Sequence, residues 1–101
     1  MTLYLSGKIT GLANYKQIFD QAHRQLEGVG YVVRNPALID FPESATWEDM
    51  MRFDLSLMLL CDGVAFLSNW TESKGARMEL EIADRLKMEC CPVSEWVSRR
   101  L

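Results

Sequence analysis

The feature that most constrains the fold of this chain is a repeated alternation between short β-prone runs and longer amphipathic stretches. The predicted strands span residues 3–6, 31–33, 63–67 and 90–93. Between them, apolar residues recur at the three- and four-residue spacing of a helix that buries one face. Strands that alternate with helices pair as parallel neighbours through right-handed crossovers. The sequence therefore predicts the element order β-α-β-α-β-α-β.

This order predicts an α/β fold, a small doubly wound parallel sheet of the flavodoxin-like or Rossmann-like kind, with four to five strands and helices on both faces. Residues 63–67 form a continuous apolar run, as expected for a strand that is covered on both sides. At 101 residues, the chain is long enough for one hydrophobic core. We expect a single domain over residues 1–101.

Composition argues against several classes of function. The net charge is −3 and the basic residues are scattered apart from Arg99 and Arg100, which argues against nucleic-acid binding. No apolar run approaches the roughly 18 residues of a membrane span, and no secretion signal opens the chain, so we expect a cytoplasmic protein. Cys61, Cys90 and Cys91 form neither a disulfide set nor a metal-binding spacing, and are expected to be reduced thiols.

Two loops follow predicted strands at the place where open parallel sheets bind ligands. The first is S-G-K-I-T-G, in which Gly7 and Gly11 let backbone amides approach an anion beside Lys8 and Thr10. The second is W-T-E-S-K-G, which leads into a helix with Ser73 as its N-cap or as a hydroxyl donor to phosphate. A glycine-rich turn and a simple helix cap are the structural alternatives.

Two acidic residues interrupt apolar helical stripes. Glu79 shares its predicted stripe with Ala76, Ile82, Ala83 and Leu86. Asp54 lies among Met50, Met51 and Met58. A buried carboxylate needs partners or a shifted pKa. Each acid could be structural, tied to backbone amides or to Arg52 or Arg77. Together they also match the pair of carboxyl groups that cleaves glycosidic bonds, one as nucleophile and the other as acid.

Three further polar residues are candidates, and His23 and Asp62 are the weaker ones. Tyr4 lies between two leucines on the first strand, and its phenol could reach the cleft of Glu79 or simply pack in the core. His23 is the only histidine and is expected to be solvated on its helix. Asp62 is expected to end a helix or to pair locally. A single histidine gives little support for a Ser-His-Asp triad or for a zinc site.

Three segments carry a resemblance to a known family. They are L-Y-L-S-G-K-I-T-G, W-E-D-M-M-R-F-D-L and C-D-G-V-A-F-L-S-N-W-T-E-S-K-G-A-R-M-E-L. Together they resemble the nucleoside 2-deoxyribosyltransferase superfamily, and most closely an uncharacterised, largely phage and bacterial branch. A related branch hydrolyses 2′-deoxynucleoside 5′-monophosphates to a free base and deoxyribose 5-phosphate.

The resemblance implies a role for each matching residue. It implies that Glu79 attacks the anomeric carbon, that Asp54 transfers a proton and positions the base, and that Tyr4 orients the nucleophile. It implies that Ser73 contacts the 5′-phosphate, as the matching serine does in nucleotide-specific members. Together with the two strand-end loops described above, the predicted substrate-binding set comprises Gly7, Lys8, Ile9, Thr10, Gly11, Ser73 and Gly75. No metal or cofactor is implied, and the expected partner is a small-molecule nucleotide.

The predicted function is cleavage or transfer at the N-glycosidic bond of a deoxynucleoside 5′-monophosphate or a related nucleotide. The chain departs from the family pattern at Arg77, Met78 and Glu81, so a catalytically inactive nucleotide-binding module is the alternative. An interaction domain of the signalling-receiver kind would need acids after the first strand, and ranks last. A homodimer or larger homo-oligomer is expected, with Trp96 and Val97 offering an apolar contact.

Overall fold

The protein is described by a computed structural model that covers residues 1–101. Four parallel strands form one sheet in the order β2-β1-β3-β4. The strands are β1 (Thr2–Ser6), β2 (Val32–Arg34), β3 (Gly63–Phe66) and β4 (Glu89–Pro92). The predicted α/β class and parallel sheet are confirmed, with four strands.

Four α-helices cover the sheet. They are α1 (Tyr15–Gly28), α2 (Trp47–Met58), α3 (Lys74–Arg85) and α4 (Val93–Ser98). Helices α1 and α4 lie on one face, and α2 and α3 lie on the other. Two short 3-10 helices, Pro36–Leu38 and Trp70–Glu72, occupy segments that the sequence predicts as irregular. None of the helices combines the length and the apolar character that crossing a membrane requires.

The ends of several elements differ from the prediction for local reasons. β2 begins at Val32 because the amide of Tyr31 bonds to the carbonyl of Leu26 and closes the end of α1. α3 ends at Arg85, so Leu86 no longer continues the buried stripe and is 58% exposed. Leu80, which the predicted stripe did not include, is buried. The stripe prediction was therefore wrong at its last position.

Side-chain caps begin the two helices that face the candidate site. The hydroxyl of Thr46 accepts from the amide of Asp49 at 3.0 Å, and the Asp49 carboxylate accepts from the amide of Thr46 at 3.0 Å. This reciprocal pair is a capping box. The hydroxyl of Ser73 accepts from the amide of Ala76 at 3.1 Å. Asn14 precedes α1 as predicted, but its side chain makes no capping hydrogen bond.

Alternate residues of β1 separate the core into two parts. Leu3 and Leu5 point towards α1 and α4, where they join a cluster of 13 buried residues. Tyr4 points towards α2 and α3, where the buried cluster has five members. The adjacent Cys90 and Cys91 likewise pack on opposite faces of β4, so they cannot pair with each other. All three cysteines are free thiols, as predicted.

Three side-chain predictions were wrong. Trp96 is 1% exposed and its indole donates to the carbonyl of Val64 at 2.9 Å, so it belongs to the core and offers no surface to a partner. His23 is mostly covered, with Nδ1 3.1 Å from the amide nitrogen of Asn35. Asp62 accepts from the distant backbone amide of Thr2 at 2.7 Å, which anchors the start of β1.

Candidate active site

A cavity of about 570 Å³ opens at the carboxyl ends of the strands. Its walls come from β1, from the segments that follow β1, β2 and β3, and from residues of α1, α2 and α3. A volume of several hundred Å³ is typical of small-molecule sites. Glu79, Asp54 and Tyr4 all line this cavity, although they come from three different elements. The structure therefore brings the three predicted catalytic candidates together.

Glu79 lies on the inward face of α3 and is only 4% exposed. The phenol of Tyr4 donates to its Oε2 at 2.6 Å, and the hydroxyl of Ser6 donates to its Oε1 at 2.8 Å. Burial raises the pKa of Glu79 to about 7, although the two hydrogen bonds act in the opposite direction. The charge of Asp54 adds to the increase. Glu79 can therefore exchange a proton near neutral pH.

Asp54 faces the same cavity from α2 and is 8% exposed. Its Oδ1 is buried without a hydrogen-bond partner. Burial raises the pKa of Asp54 to about 6, so it can carry a proton at mildly acidic pH. Neither Asp54 nor Glu79 takes part in an ion pair, so pairing with Arg52 or Arg77 does not explain either acid.

Tyr4 connects the sheet to the acid on α3. Its side chain is fully buried, and it lies in the middle of the sheet, paired with Arg34 on β2 and Val64 on β3. Burial raises its pKa well above the ordinary value, and the neighbouring charge of Glu79 adds to this effect. The phenol therefore keeps its proton and acts as a hydrogen-bond donor to the carboxylate.

The loop after β1 lines the cavity only in part. Gly7, Ile9 and Thr10 contribute to the wall, whereas Lys8 and Gly11 do not. The backbone amide of Lys8 donates to the side chain of Asn69 at 3.0 Å and so joins the first loop to the third. Gly11 is exposed and has a φ of +79°, which explains a glycine as a turn residue.

The segment before α3 places Ser73 and Gly75 in the wall. The Ser73 oxygen caps the helix, and its hydroxyl proton remains available to a ligand. A Cβ on Gly75 would lie 3.1 Å from the sulfur of Met51. Gly75 therefore allows α2 and α3 to approach closely, which is a packing role in addition to its place in the wall.

The structure also adds residues that sequence reasoning did not select. Ser6 was overlooked, although it shares the strand face of Tyr4 by simple alternation. Trp47 and Lys74 stand at the starts of α2 and α3, with the Lys74 ammonium 4.1 Å from the centre of the Trp47 ring. Tyr15 and Phe41 add further aromatic surface to the wall. Only the fold brings these last four residues together, so no local pattern could reveal them.

The charge of the cavity wall is mainly negative. Lys74 is the one basic side chain in the wall. The acidic side chains are Asp40, Asp54, Glu72 and Glu79. No group of three or more histidine, cysteine or acidic side chains is arranged to hold a metal ion.

The chain matches one protein family. Residues 1–91 match the model of a domain of unknown function, DUF4406. The chain belongs to this family. Among curated proteins, none matches this DUF4406 chain.

A solved structure extends the comparison to the fold. The 2-deoxyribosyltransferase of the psychrotolerant bacterium Bacillus psychrosaccharolyticus superimposes with a TM-score of 0.68 and 18% sequence identity. The match covers 89% of the DUF4406 chain and 69% of the transferase chain. At this identity the likeness shows a common Rossmann-like fold.

Proposed function

We propose that this DUF4406 protein cleaves or transfers at the N-glycosidic bond of a deoxynucleoside 5′-monophosphate or a related nucleotide. The observation that carries the proposal is a buried Glu79, held by Tyr4 at the wall of a cavity that Asp54 also lines. A carboxylate nucleophile and a second carboxyl group are what a double displacement at an anomeric carbon requires. The fold shared with a 2-deoxyribosyltransferase supports the same chemistry.

The first step forms a glycosyl ester. A bond forms between a Glu79 carboxylate oxygen and the anomeric carbon while the bond from that carbon to the base nitrogen breaks. The base leaves with the electron pair of the broken bond, and Asp54 supplies a proton to it. Burial raises the pKa of Asp54 to about 6, so a fraction of the molecules carries this proton near neutral pH. The acid role falls to Asp54 because Tyr4 and Ser6 donate to Glu79 and favour its ionised form, whereas Asp54 Oδ1 has no hydrogen-bond partner.

The second step breaks the ester. Water or a second base attacks the anomeric carbon, its proton passes to Asp54, and Glu79 is released as a carboxylate. Hydrolysis and transfer differ only in the acceptor. Both residues return to their starting states, so the cycle balances without a metal or a redox cofactor.

A 5′-phosphate would find its partners at the start of α3. The hydroxyl of Ser73 and the ammonium of Lys74 lie in the cavity wall, where the first amides of the helix favour an anion. The backbone of Gly7, Ile9 and Thr10 borders the same cavity. These contacts favour a phosphorylated substrate.

The charge of the wall favours a second candidate, an unphosphorylated nucleoside. Four carboxyl side chains stand against one lysine, and a dianionic phosphate would meet repulsion from those that are ionised. Comparing matched nucleosides and nucleotides as substrates decides between the two.

The test is to incubate the protein with paired nucleosides and 5′-monophosphates and to quantify free base by chromatography. The Glu79→Gln variant keeps the size of the side chain and one acceptor oxygen, replaces the other oxygen with an amide donor, and removes the nucleophile. Glu81→Gln alters an exposed acid on the same helix and is the matched control. We expect release by wild type and Glu81→Gln, and a loss of at least about a thousandfold in Glu79→Gln.

Absence of free base with every compound, or equal release by wild type and Glu79→Gln, would contradict the proposal. Calorimetry with the same compounds then examines the alternative, an inactive nucleotide-binding module. Tight binding without turnover, undiminished in Glu79→Gln, would support that module. The predicted homo-oligomer remains a separate proposal, which light scattering can examine.

A further inference from the structure

We propose that Ser6 is a positioning residue that holds Oε1 of Glu79 and thereby selects Oε2 as the attacking oxygen. This inference rests on the proposed glycosidic chemistry and adds a residue and an atom assignment to it. It starts from the two different donors that β1 directs at one carboxylate.

The two donors bond to different oxygens of the Glu79 carboxylate. Tyr4 lines the cavity and donates to Oε2, whereas Ser6 is fully buried and is not part of the cavity wall. Ser6 donates to Oε1 at 2.8 Å. Oε1 is therefore held by a residue outside the cavity wall and Oε2 by a residue within it, and on this basis we assign Oε2 to the substrate space.

The supporting strand lies inside the sheet. β1 lies between β2 and β3, and Ser6 pairs with Phe66 while its carbonyl accepts from the amide of Leu67 at 2.8 Å. The full burial of Ser6 leaves its side chain little freedom to turn away. A hydroxyl held in this way can fix the carboxylate plane more closely than a side chain on a mobile loop.

The hydroxyl of Ser6 has a defined place in both steps. When Oε2 bonds to the anomeric carbon, Oε1 becomes the ester carbonyl oxygen and continues to accept from Ser6. When the ester breaks, charge returns to the carboxylate and the same hydrogen bond stabilises it. Oε2, in contrast, loses its negative charge as the ester forms, so the hydrogen bond from Tyr4 becomes weaker.

Ser6 also affects where the proton of the acid pair resides. A donor to an ionised carboxylate favours the ionised form, so Ser6 moves the proton away from Glu79 and towards Asp54. The proposed first step needs Glu79 ionised and Asp54 protonated. Because the pKa of Asp54, about 6, lies below the pKa of Glu79, about 7, this is the minor arrangement of a shared proton, and a donor to Glu79 increases its population. Loss of the hydroxyl should therefore lower the population of the reactive form as well as its alignment.

The test compares Ser6→Ala with Ser98→Ala, which removes a 2.9 Å hydroxyl hydrogen bond on α4, outside the cavity wall. The Glu79 carboxyl is titrated by ¹³C NMR, and kcat and KM are measured across pH. We expect the pKa of Glu79 to rise in Ser6→Ala, kcat to fall about tenfold and KM to change little. One limb of the pH–rate profile should move to higher pH with the titration.

Ser6→Cys is the second variant, because a thiol of similar size is a weaker donor. It should give a Glu79 pKa and a kcat between those of wild type and Ser6→Ala, and it serves the same purpose if Ser6→Ala does not fold. A merely structural Ser6 would lower the free energy of unfolding but leave the Glu79 pKa and the pH–rate profile unchanged, and that result overturns the inference.

The titration needs no substrate, so the two proposals can fail separately. A raised Glu79 pKa in Ser6→Ala together with an inactive wild type would contradict the proposed function. The same result would support the hydrogen bond by which Ser6 positions the carboxylate. An active wild type with an unchanged Glu79 pKa in Ser6→Ala would contradict only the proposed role of Ser6 and would leave the proposed function intact.

Discussion

The two faces of the sheet in this DUF4406 protein serve different purposes. The face covered by α1 and α4 buries a cluster of 13 residues, and β1 contributes Leu3 and Leu5 to it. The face covered by α2 and α3 has a smaller apolar cluster and receives Tyr4 and Ser6 from the same strand. One five-residue strand therefore supports the core on one side and the candidate chemistry on the other.

The difference has an energetic basis. Burying leucine removes apolar surface from water and stabilises the fold. Burying Asp54 and Glu79 penalises their ionised forms, which raises the pKa of both groups. Burial of these two acids therefore lowers the stability of the protein at neutral pH. It also gives the α2 and α3 face acids that exchange protons near that pH. Perturbed acids of this kind are typical of functional sites.

The largest expected effect is on the rate, through Asp54→Asn. The amide cannot protonate the leaving base, so kcat should fall by about a hundredfold to ten-thousandfold. Glu48→Gln, which changes an exposed acid in the first turn of the same helix, is the control and should retain full activity. Steady-state kinetics measures both. Equal rates for Asp54→Asn and wild type would remove Asp54 from the mechanism.

A smaller effect is expected on the other face, through Leu5→Ala. Leu5 is fully buried, so the lost burial and the cavity left behind should lower the free energy of unfolding by about 4 kcal/mol. Because Leu5 points away from the acids, the Glu79 pKa of the folded variant should not change. Urea denaturation and NMR titration measure the two quantities. Leu60→Ala, at a position 86% exposed, is the control and should change stability little.

A shift of the Glu79 pKa in Leu5→Ala would show that the two faces are not independent. Both faces receive side chains from β1, so β1 is the element that would couple them.

The smallest effect concerns stability and pH, through Glu79→Gln. The folded protein raises the pKa of Glu79 from an ordinary 4.5 to about 7, so it binds this proton more tightly than the unfolded chain does. The stability that this proton contributes is fully present below about pH 4.5 and is lost as pH rises to about 7. Glu79→Gln removes that dependence. At pH 8 it should be more stable than wild type by on the order of 3 kcal/mol.

Denaturation at pH 4, 6 and 8 checks this prediction. Asp54 is present in both proteins, so the difference between the two curves reports Glu79 together with its coupling to Asp54. Parallel curves for wild type and Glu79→Gln would mean that burial does not perturb the Glu79 carboxyl.

Local patterns in the sequence determined the order of the elements, the parallel sheet and the two acids on apolar stripes. Hydrophobic periodicity reports which side of a helix is buried, and it located Glu79 and Asp54 because a charge on that side stands out. The same periodicity failed at Leu86, where α3 had already ended. Periodicity describes a face of one element and carries no information about what that face meets.

Only the tertiary structure decided the partners. The hydrogen bonds of Tyr4 and Ser6 to Glu79 join residues 75 and 73 positions apart, and no local pattern encodes such contacts. The same holds for Trp96, which the sequence left as a surface candidate and the fold buries against β3. Lys8 and Gly11 belong to a predicted ligand-binding loop by sequence, yet neither of them lines the cavity. Composition and spacing set what each segment can form, whereas packing between segments sets which side chains meet.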